Sequence, residues 1–365
     1  MFLKTAIGLI SAILITAAWY ASPIMKPFPK LTGLHKVGLR TLEFVNSNRS
    51  GPEDSRTLVV HVWYPADESV DYTHRAAYLG DKMPYFQKSM AQYFNVPEWA
   101  AQFLFRGIKT HAVDAPIQSA AQRHPVVLFS HGLLGVPSDM YTVILEDVAS
   151  HGYVVMAIDH PYLNELTLYE DGRIISSHDM SVKFKSMSPQ AQKDFQSRAI
   201  ELYKNDLKFM LDMLELYDSQ ESKGILFDFD RIAVMGHSAG GTAAIEFCRS
   251  DARCKAAIDL DGWYDQVIGE KPIGKPLLLM FGSKSLEVSE PTPEYLKRKQ
   301  LTREQYFERE HGIAVHRKAL CADTDCRLVV IQGAEHGDFG DGILLKWPLR
   351  VWGAVESYTT IRSIN

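Results

Sequence analysis

The pentapeptide Gly236-His237-Ser238-Ala239-Gly240 sets a serine between two glycines in the pattern G-x-S-x-G. At ordinary glycine and serine usage that pattern arises by chance in roughly one chain in ten of this length. Its context sharpens it. An apolar run at 231–235 (RIAVM) comes directly before it, and a helical stretch at 242–248 follows directly after. Strand, tight turn, helix is the setting of a nucleophile elbow, a strained turn that lifts the serine hydroxyl clear of a sheet. Gly236, Gly240 and Gly241 supply the space that bulky neighbours would fill. The following helix aims its positive end at the same spot. A plain glycine-rich strand–turn–helix junction is the reading without chemistry.

A serine hydroxyl is a weak nucleophile. It needs a base, and the base needs a carboxylate to orient it. In elbow enzymes the chain order is serine, acid, histidine. Four histidines lie beside or beyond Ser238: His237, His311, His316 and His336. His237 is expected to point away from its neighbour's hydroxyl. His311 and His316 fall in a charged, solvated stretch. His336 follows the last apolar run through a short loop (QGAEHGDF), which places it at the carboxyl edge of the sheet and makes it the expected base. For the acid, the run at 276–281 ends without an aspartate, leaving Glu287 and Glu290 beyond it, whereas the run at 255–260 ends in Asp259-Leu260-Asp261-Gly262. Strand alternation puts Asp259 and Asp261 on one face. Asp261 stands nearer the carboxyl end, where open sheets bind ligands. Asp261 is the first choice, with Asp259 and Glu287 as alternatives.

An oxyanion needs two backbone N–H donors. Ala239, next after the serine, is one candidate. The other comes from the loop after the apolar run 125–130, Ser130-His131-Gly132-Leu133-Leu134-Gly135, where Leu133 is the expected donor. His131 is read as structural, orienting that loop through a hydrogen bond.

The elements that must carry these residues follow from periodicity. Strands are expected at 36–44, 57–65, 125–130, 152–159, 231–235, 255–260, 276–281 and 327–331, and helices at 141–150, 198–216 and 242–248, with a last one between 344 and 360. Residues 83–108, rich in Tyr, Phe and Trp, read as two amphipathic helices broken at Pro97. Residues 167–176 read as a hairpin turning at Asp171-Gly172. Continuous apolar strands alternating with helices mean an α/β fold with a mainly parallel, doubly wound sheet and helices on both faces.

The chain has 365 residues, 46% of them hydrophobic and 23% charged, with a net charge of −5. Those values fit a globular chain and exclude a disordered, collagenous or multi-span membrane protein. No basic patch points to nucleic acid. No H-E-x-x-H or similar ligand set suggests a metal or other cofactor. Lys4 followed by an apolar run at 6–21 reads as a signal peptide or N-terminal anchor covering residues 1–22, which implies an exported protein, periplasmic or secreted. Residues 23–35 read as a proline-rich linker, and 36–365 as a single domain. In an oxidising compartment Cys248 with Cys254, and Cys321 with Cys326, could each close a small loop.

These residues resemble one family, the plasma-type platelet-activating-factor acetylhydrolases with their bacterial relatives. The matching pieces are HVWYPA at 61–66, the aromatic helices at 83–108, PVVLFSHGLLG at 125–135, ASHGYVVMAIDH at 149–160, DRIAVMGHSAGG at 230–241, AAIDLDGW at 256–263 and the loop around His336. The resemblance spans roughly 36–345. It implies an α/β-hydrolase fold, no metal, a triad of Ser238, Asp261 and His336, and oxyanion donors at Leu133 and Ala239. It departs at Ala239, where the family carries a large aromatic, and at 286–322, which is longer and more charged than expected and reads as a solvated excursion or a lid.

The expected function is therefore that of a serine carboxylesterase acting on short or oxidised acyl esters, with an ester or phospholipid substrate. The aromatic helices at 83–108 could rest on a membrane surface. A broad-specificity lipase or polyesterase is the alternative, since the same triad cleaves many esters. A peptidase is disfavoured by the resemblance. A non-catalytic lipid-binding protein would be expected to have lost a triad member, and a dienelactone-type hydrolase would carry cysteine at the elbow.

Overall fold

The computed structural model describes residues 27–344 apart from 50–51, 53–55, 68, 70, 72, 95, 114–122, 220–225, 263–272, 287, 289 and 322–324. The expected N-terminal segment at 1–22 lies outside the described residues, as do the helix expected beyond 344 and Glu287.

The chain opens with β1 (Val37–Val45), β2 (Thr57–Pro65) and β3 (Arg75–Ala77), then helices α1 (Met83–Phe94) and α2 (Glu98–Leu104) on either side of Pro97. Next come β4 (Lys109–Val113), β5 (Arg123–Ser130), α3 (Thr142–Ser150), β6 (Val154–Asp159) and the hairpin β7 (Leu166–Leu168) with β8 (Ile174–Ser176). Two helices follow, α4 (His178–Ser186) and α5 (Pro189–Ser219), then β9 (Leu226–His237), α6 (Ala239–Ser250), β10 (Cys254–Leu260) and β11 (Leu277–Gly282). The described chain finishes with α7 (Ser283–Leu286), α8 (Pro293–Lys299), α9 (Arg303–Leu320), β12 (Cys326–Ile331) and two short 3-10 turns.

All strands but β7 and β8 join one sheet in the order β12-β11-β10-β9-β5-β6-β2-β1-β4-β3. From β12 to β6 the pairs are parallel, and β2 then runs antiparallel to β6. Parallel strands are covered on both faces, and their side chains show it. On β5, Val126 and Leu128 enter one core with α5 and α6, while Val127 and Phe129 enter the other with Tyr141, Leu145 and Ala149. Each such fully buried side chain stabilises the fold by about 1.5–3 kcal/mol. The strand order reverses between β5 and β9. In an open sheet that reversal leaves a crevice at the carboxyl ends. The elbow follows β9 and the loop of Leu133 follows β5, so both open onto that crevice.

Residues 27–35 form an irregular segment pinned to α3. Thr32 donates its N–H and its hydroxyl to Asp147, and Gly33 donates its N–H to Ser150 Oγ. The charged segment before β12 is helical, as α8 and α9, and Tyr295 packs edge-on against Tyr306.

Candidate active site

Ser238 sits at φ 57° and ψ −122°, outside the ordinary allowed regions for a residue with a side chain. Backbone strain of this kind is held in place by its surroundings. Here the surroundings are two close approaches. A Cβ on Gly236 would lie 2.2 Å from the Gly240 carbonyl carbon, and one on Gly240 would lie 2.2 Å from the Ser130 carbonyl oxygen. The turn and β5 therefore touch backbone to backbone, and only glycine fits.

The carboxyl edge brings Ser238, His336 and Asp261 into one chain. His336 Nε2 lies 3.0 Å from Ser238 Oγ, and His336 Nδ1 lies 2.5 Å from Asp261 Oδ2. With Nδ1–H donated to the carboxylate, Nε2 is free to accept the serine proton. Asp261 Oδ1 also accepts the Gly282 N–H at 3.1 Å. Burial pushes the Asp261 pKa up, but the hydrogen bond and charge of His336 outweigh it and hold the carboxyl below its usual range. The His336 ring is about half exposed, so the chain opens to solvent at the serine end.

Asp259 has separate surroundings. It is fully buried, with its carboxylate against Gly241 and Gly262, and it accepts the Gly262 N–H at 3.2 Å. The shared face expected from strand alternation does not hold, because β10 stops at Leu260 and Asp261 turns at φ 54°. His311 is exposed on α9.

Leu133 and Ala239 meet in one apolar cluster with Leu163, Ile200 and Tyr203. Ala239 opens α6, where the first N–H groups of a helix have no partner within it. Gly132, before Leu133, lies so close that an added Cβ would stand 3.4 Å from Ser238 Cβ. The small Ala239 is 1% exposed beneath the residues of α5.

Two supports escaped the sequence reading. His237 is buried between Tyr141 and the His336 loop: its Nε2–H donates to the His336 carbonyl at 2.8 Å, and its Nδ1 accepts from the Tyr141 hydroxyl at 2.8 Å. Burial, helped by the neighbouring His336, lowers its pKa to about 3. Lys82 is buried with its ammonium 2.6 Å from Asp159 Oδ2 and 3.1 Å from Asp139 Oδ2, and it donates to His61 Nε2 at 2.9 Å. Burial lowers the Lys82 pKa, but the two carboxylates outweigh it and raise the net value. Asp159 Oδ1 in turn accepts the Ser138 N–H, fixing the chain just past the Leu133 loop.

The described structure joins Cys248 to Cys254 and Cys321 to Cys326 by disulfides.

Known proteins similar to this chain include acetylhydrolases and an esterase. The family model "Platelet-activating factor acetylhydrolase, isoform II" matches residues 20–362. A platelet-activating factor acetylhydrolase of Canis lupus familiaris is 25% identical over 374 residues, covering 92% of this chain and 74% of that one. A probable 1-alkyl-2-acetylglycerophosphocholine esterase of Arthroderma benhamiae is 27% identical over 145 residues, covering 39% of this chain and 33% of that one. Among solved structures, a ferulic acid esterase from Streptomyces cinnamoneus superposes with a TM-score of 0.63 at 25% identity, covering 94% of this chain and 89% of that one. The fold is that of the α/β hydrolases, and the chain belongs to the family of platelet-activating factor acetylhydrolase, isoform II, as an ester hydrolase.

Proposed function

We propose that this protein cleaves short or oxidised acyl chains from phospholipid esters through an acyl-enzyme on Ser238. The observation that carries the proposal is the unbroken chain Ser238–His336–Asp261 at the sheet's carboxyl edge. In this reading Ser238 Oγ attacks the ester carbonyl while His336 Nε2 takes its proton, and Asp261 stays ionised and stabilises the imidazolium. The oxyanion accepts from the Leu133 and Ala239 N–H groups. His336 then protonates the departing alcohol, and water, deprotonated by the same nitrogen, releases the acid and restores the serine.

A lipid substrate is supported by the relatives' names and by the surface of α1 and α2. Trp99 is 71% exposed, and Phe103 stands one turn along the same helix face with Arg106 over its ring. Tyr85 and Val96 are exposed nearby in sequence. An amphipathic face of this kind suits a bilayer's interfacial zone. Export is supported by the apolar run at 6–21 and by the two disulfides, which belong to oxidising compartments. A broad-specificity esterase is the second reading, favoured by the likeness to a ferulic acid esterase.

A panel of ester chain lengths tests the choice, with lysophospholipid release measured alongside. Faster release of short sn-2 chains from phosphatidylcholine than of long ones supports the proposal. Hydrolysis of feruloyl and aryl esters with no lysophospholipid release replaces it by the second reading.

A further inference from the structure

Arg49, Asp206 and His160 form one buried cluster of charged and titratable side chains away from the serine. Arg49, in the turn after β1, donates through Nε to both oxygens of Asp206 on α5, at 2.9 and 3.1 Å. Asp206 Oδ2 accepts at 2.8 Å from His160 Nδ1, just past β6. Asp206 and His160 are 0% exposed and Arg49 is 5% exposed. A buried ion pair is weak evidence for stability, since desolvation offsets its attraction. Burial pushes the Asp206 pKa up, but Arg49 and His160 together outweigh it, so the carboxyl stays ionised. Burial likewise keeps the His160 ring neutral despite Asp206. With Nδ1–H committed to the carboxylate, His160 Nε2 accepts from the Ser130 hydroxyl at 3.0 Å. Tyr203 stacks on the ring at 4.0 Å and holds its plane.

The other end of this chain reaches the loop of Leu133. The backbone N–H of His160 donates to His131 Nε2 at 3.1 Å. That bond dictates the tautomer: Nε2 accepts, so Nδ1 carries the proton and donates to the Gly132 carbonyl at 2.8 Å. His131 is wholly buried, and burial lowers its pKa to about 3, so the ring keeps this form at any ordinary pH. The Gly132 carbonyl and the Leu133 N–H belong to one planar trans peptide unit and point opposite ways. Holding the carbonyl therefore aims the N–H.

We infer that Arg49, Asp206 and His160 form a buried positioning relay which, through Ser130 and His131, aims the Leu133 N–H at the developing oxyanion. The inference rests on the reading of Leu133 as an oxyanion donor. The relay ties the ends of β5 and β6 to α5 and to the turn after β1, so the donor's direction is set by residues on four separate parts of the chain. Its effect falls on the transition state, where the oxygen carries charge, and not on ground-state binding. A donor displaced by about 1 Å loses about tenfold to a hundredfold in kcat.

The test separates aim from stability. Hydrophobic replacement of a buried ion pair is often neutral for stability, so the double variant Arg49→Met with Asp206→Leu is compared with wild type. The expected result is an unchanged circular dichroism spectrum, a lower melting temperature because the buried His160 Nδ1–H loses its acceptor, kcat lower by about tenfold or more below that temperature, and KM within about twofold. In parallel, His131→Asn keeps an N–H within reach of the Gly132 carbonyl, and His131→Leu does not. The Asn variant should retain about tenfold more kcat than the Leu variant, and this pair decides if the double variant does not fold. Folded variants with wild-type kcat, or Asn no better than Leu, overturn the relay. Leu133→Pro deletes the donor itself. If it keeps wild-type kcat, the oxyanion reading falls and the relay with it; if it loses kcat while the relay variants do not, only the relay falls.

Discussion

The carbonyl oxygen of His336 accepts a hydrogen bond from His237 Nε2 at 2.8 Å, so the residue just before the elbow serine holds the loop that carries the base. Ser238 and His336 are 98 residues apart in sequence, and this side-chain-to-backbone bond ties the His336 loop to the residue before the serine. The Tyr141 hydroxyl fixes the His237 tautomer from the other side. In His237→Gln the side-chain amide can still donate to the carbonyl, and in His237→Leu it cannot. Steady-state kinetics should show kcat within about tenfold of wild type for Gln and about a hundredfold lower for Leu. Equal loss in both would assign His237 to packing alone.

The same histidine makes a pH prediction. Its pKa is about 3 in the fold against 6.5 when unfolded. The unfolded chain therefore binds the extra proton, and stability is present above pH 6.5 and lost as pH falls towards 3. Between those limits this one group contributes a slope of at most about 1.4 kcal/mol per pH unit. Urea unfolding of His237→Gln from pH 6.5 to pH 4 should give a shallower decline than wild type. Parallel declines would show that the ring is not buried in its neutral form.

Ser238→Ala should abolish ester hydrolysis, lowering kcat by about 10⁵–10⁶-fold as for other triads. The fold should persist, because a serine hydroxyl at the open end of the site contributes little packing. A fluorophosphonate should label the native protein and leave the variant unlabelled. Labelling of both would place the nucleophile elsewhere.

The two aspartates after the elbow should separate cleanly. Asp261→Asn should lower kcat by about 10⁴-fold, because the amide favours the wrong tautomer of His336. Asp259→Asn should act on stability instead, since that carboxylate is sealed against Gly241 and Gly262. Melting temperature and kcat measured on both variants decide the matter. A reversal would move the acid to Asp259.

How much of this was legible depends on range. The elbow, the Leu133 loop and the His336 loop each follow a single strand, so a local pattern of apolar run and glycine was enough. Position at the carboxyl end singled out Asp261, whose carboxylate meets His336, while the alternation argument behind it breaks at the turn after Leu260. The start of α5 at Pro189 lies nine residues before the apolar stripe that suggested a helix from 198, and its signal was Ser188-Pro189, a capping serine followed by proline at the first helical position. Short β3 and β4 lack room for a pattern to repeat. Lys82 with Asp159, and Arg49 with Asp206, are separated by 77 and 157 residues. Pairings at that distance follow from the topology of the sheet and carry no local sequence signal.

The two disulfides should differ in their response to reductant. Cys248 lies in the last turn of α6 and Cys254 begins β10, both at 0% exposure, so this bridge ties the serine's helix to the strand that leads to Asp261. Lys275 reinforces the junction by donating to the carbonyls of Cys248 and Asp251. Cys321 and Cys326 are only partly buried, Cys321 just past α9 and Cys326 opening the edge strand β12. Loop entropy assigns each bridge about 2 kcal/mol, because both loops are short. Access therefore separates them, since exchange needs a thiolate to reach a sulfur. Mild reductant on the folded protein should open Cys321–Cys326 first, with ester hydrolysis retained. Cys248–Cys254 should resist until denaturant is added. Alkylation followed by peptide mass analysis reads the order, and early opening of the inner bridge would show that the α6–β10 junction breathes in the native state.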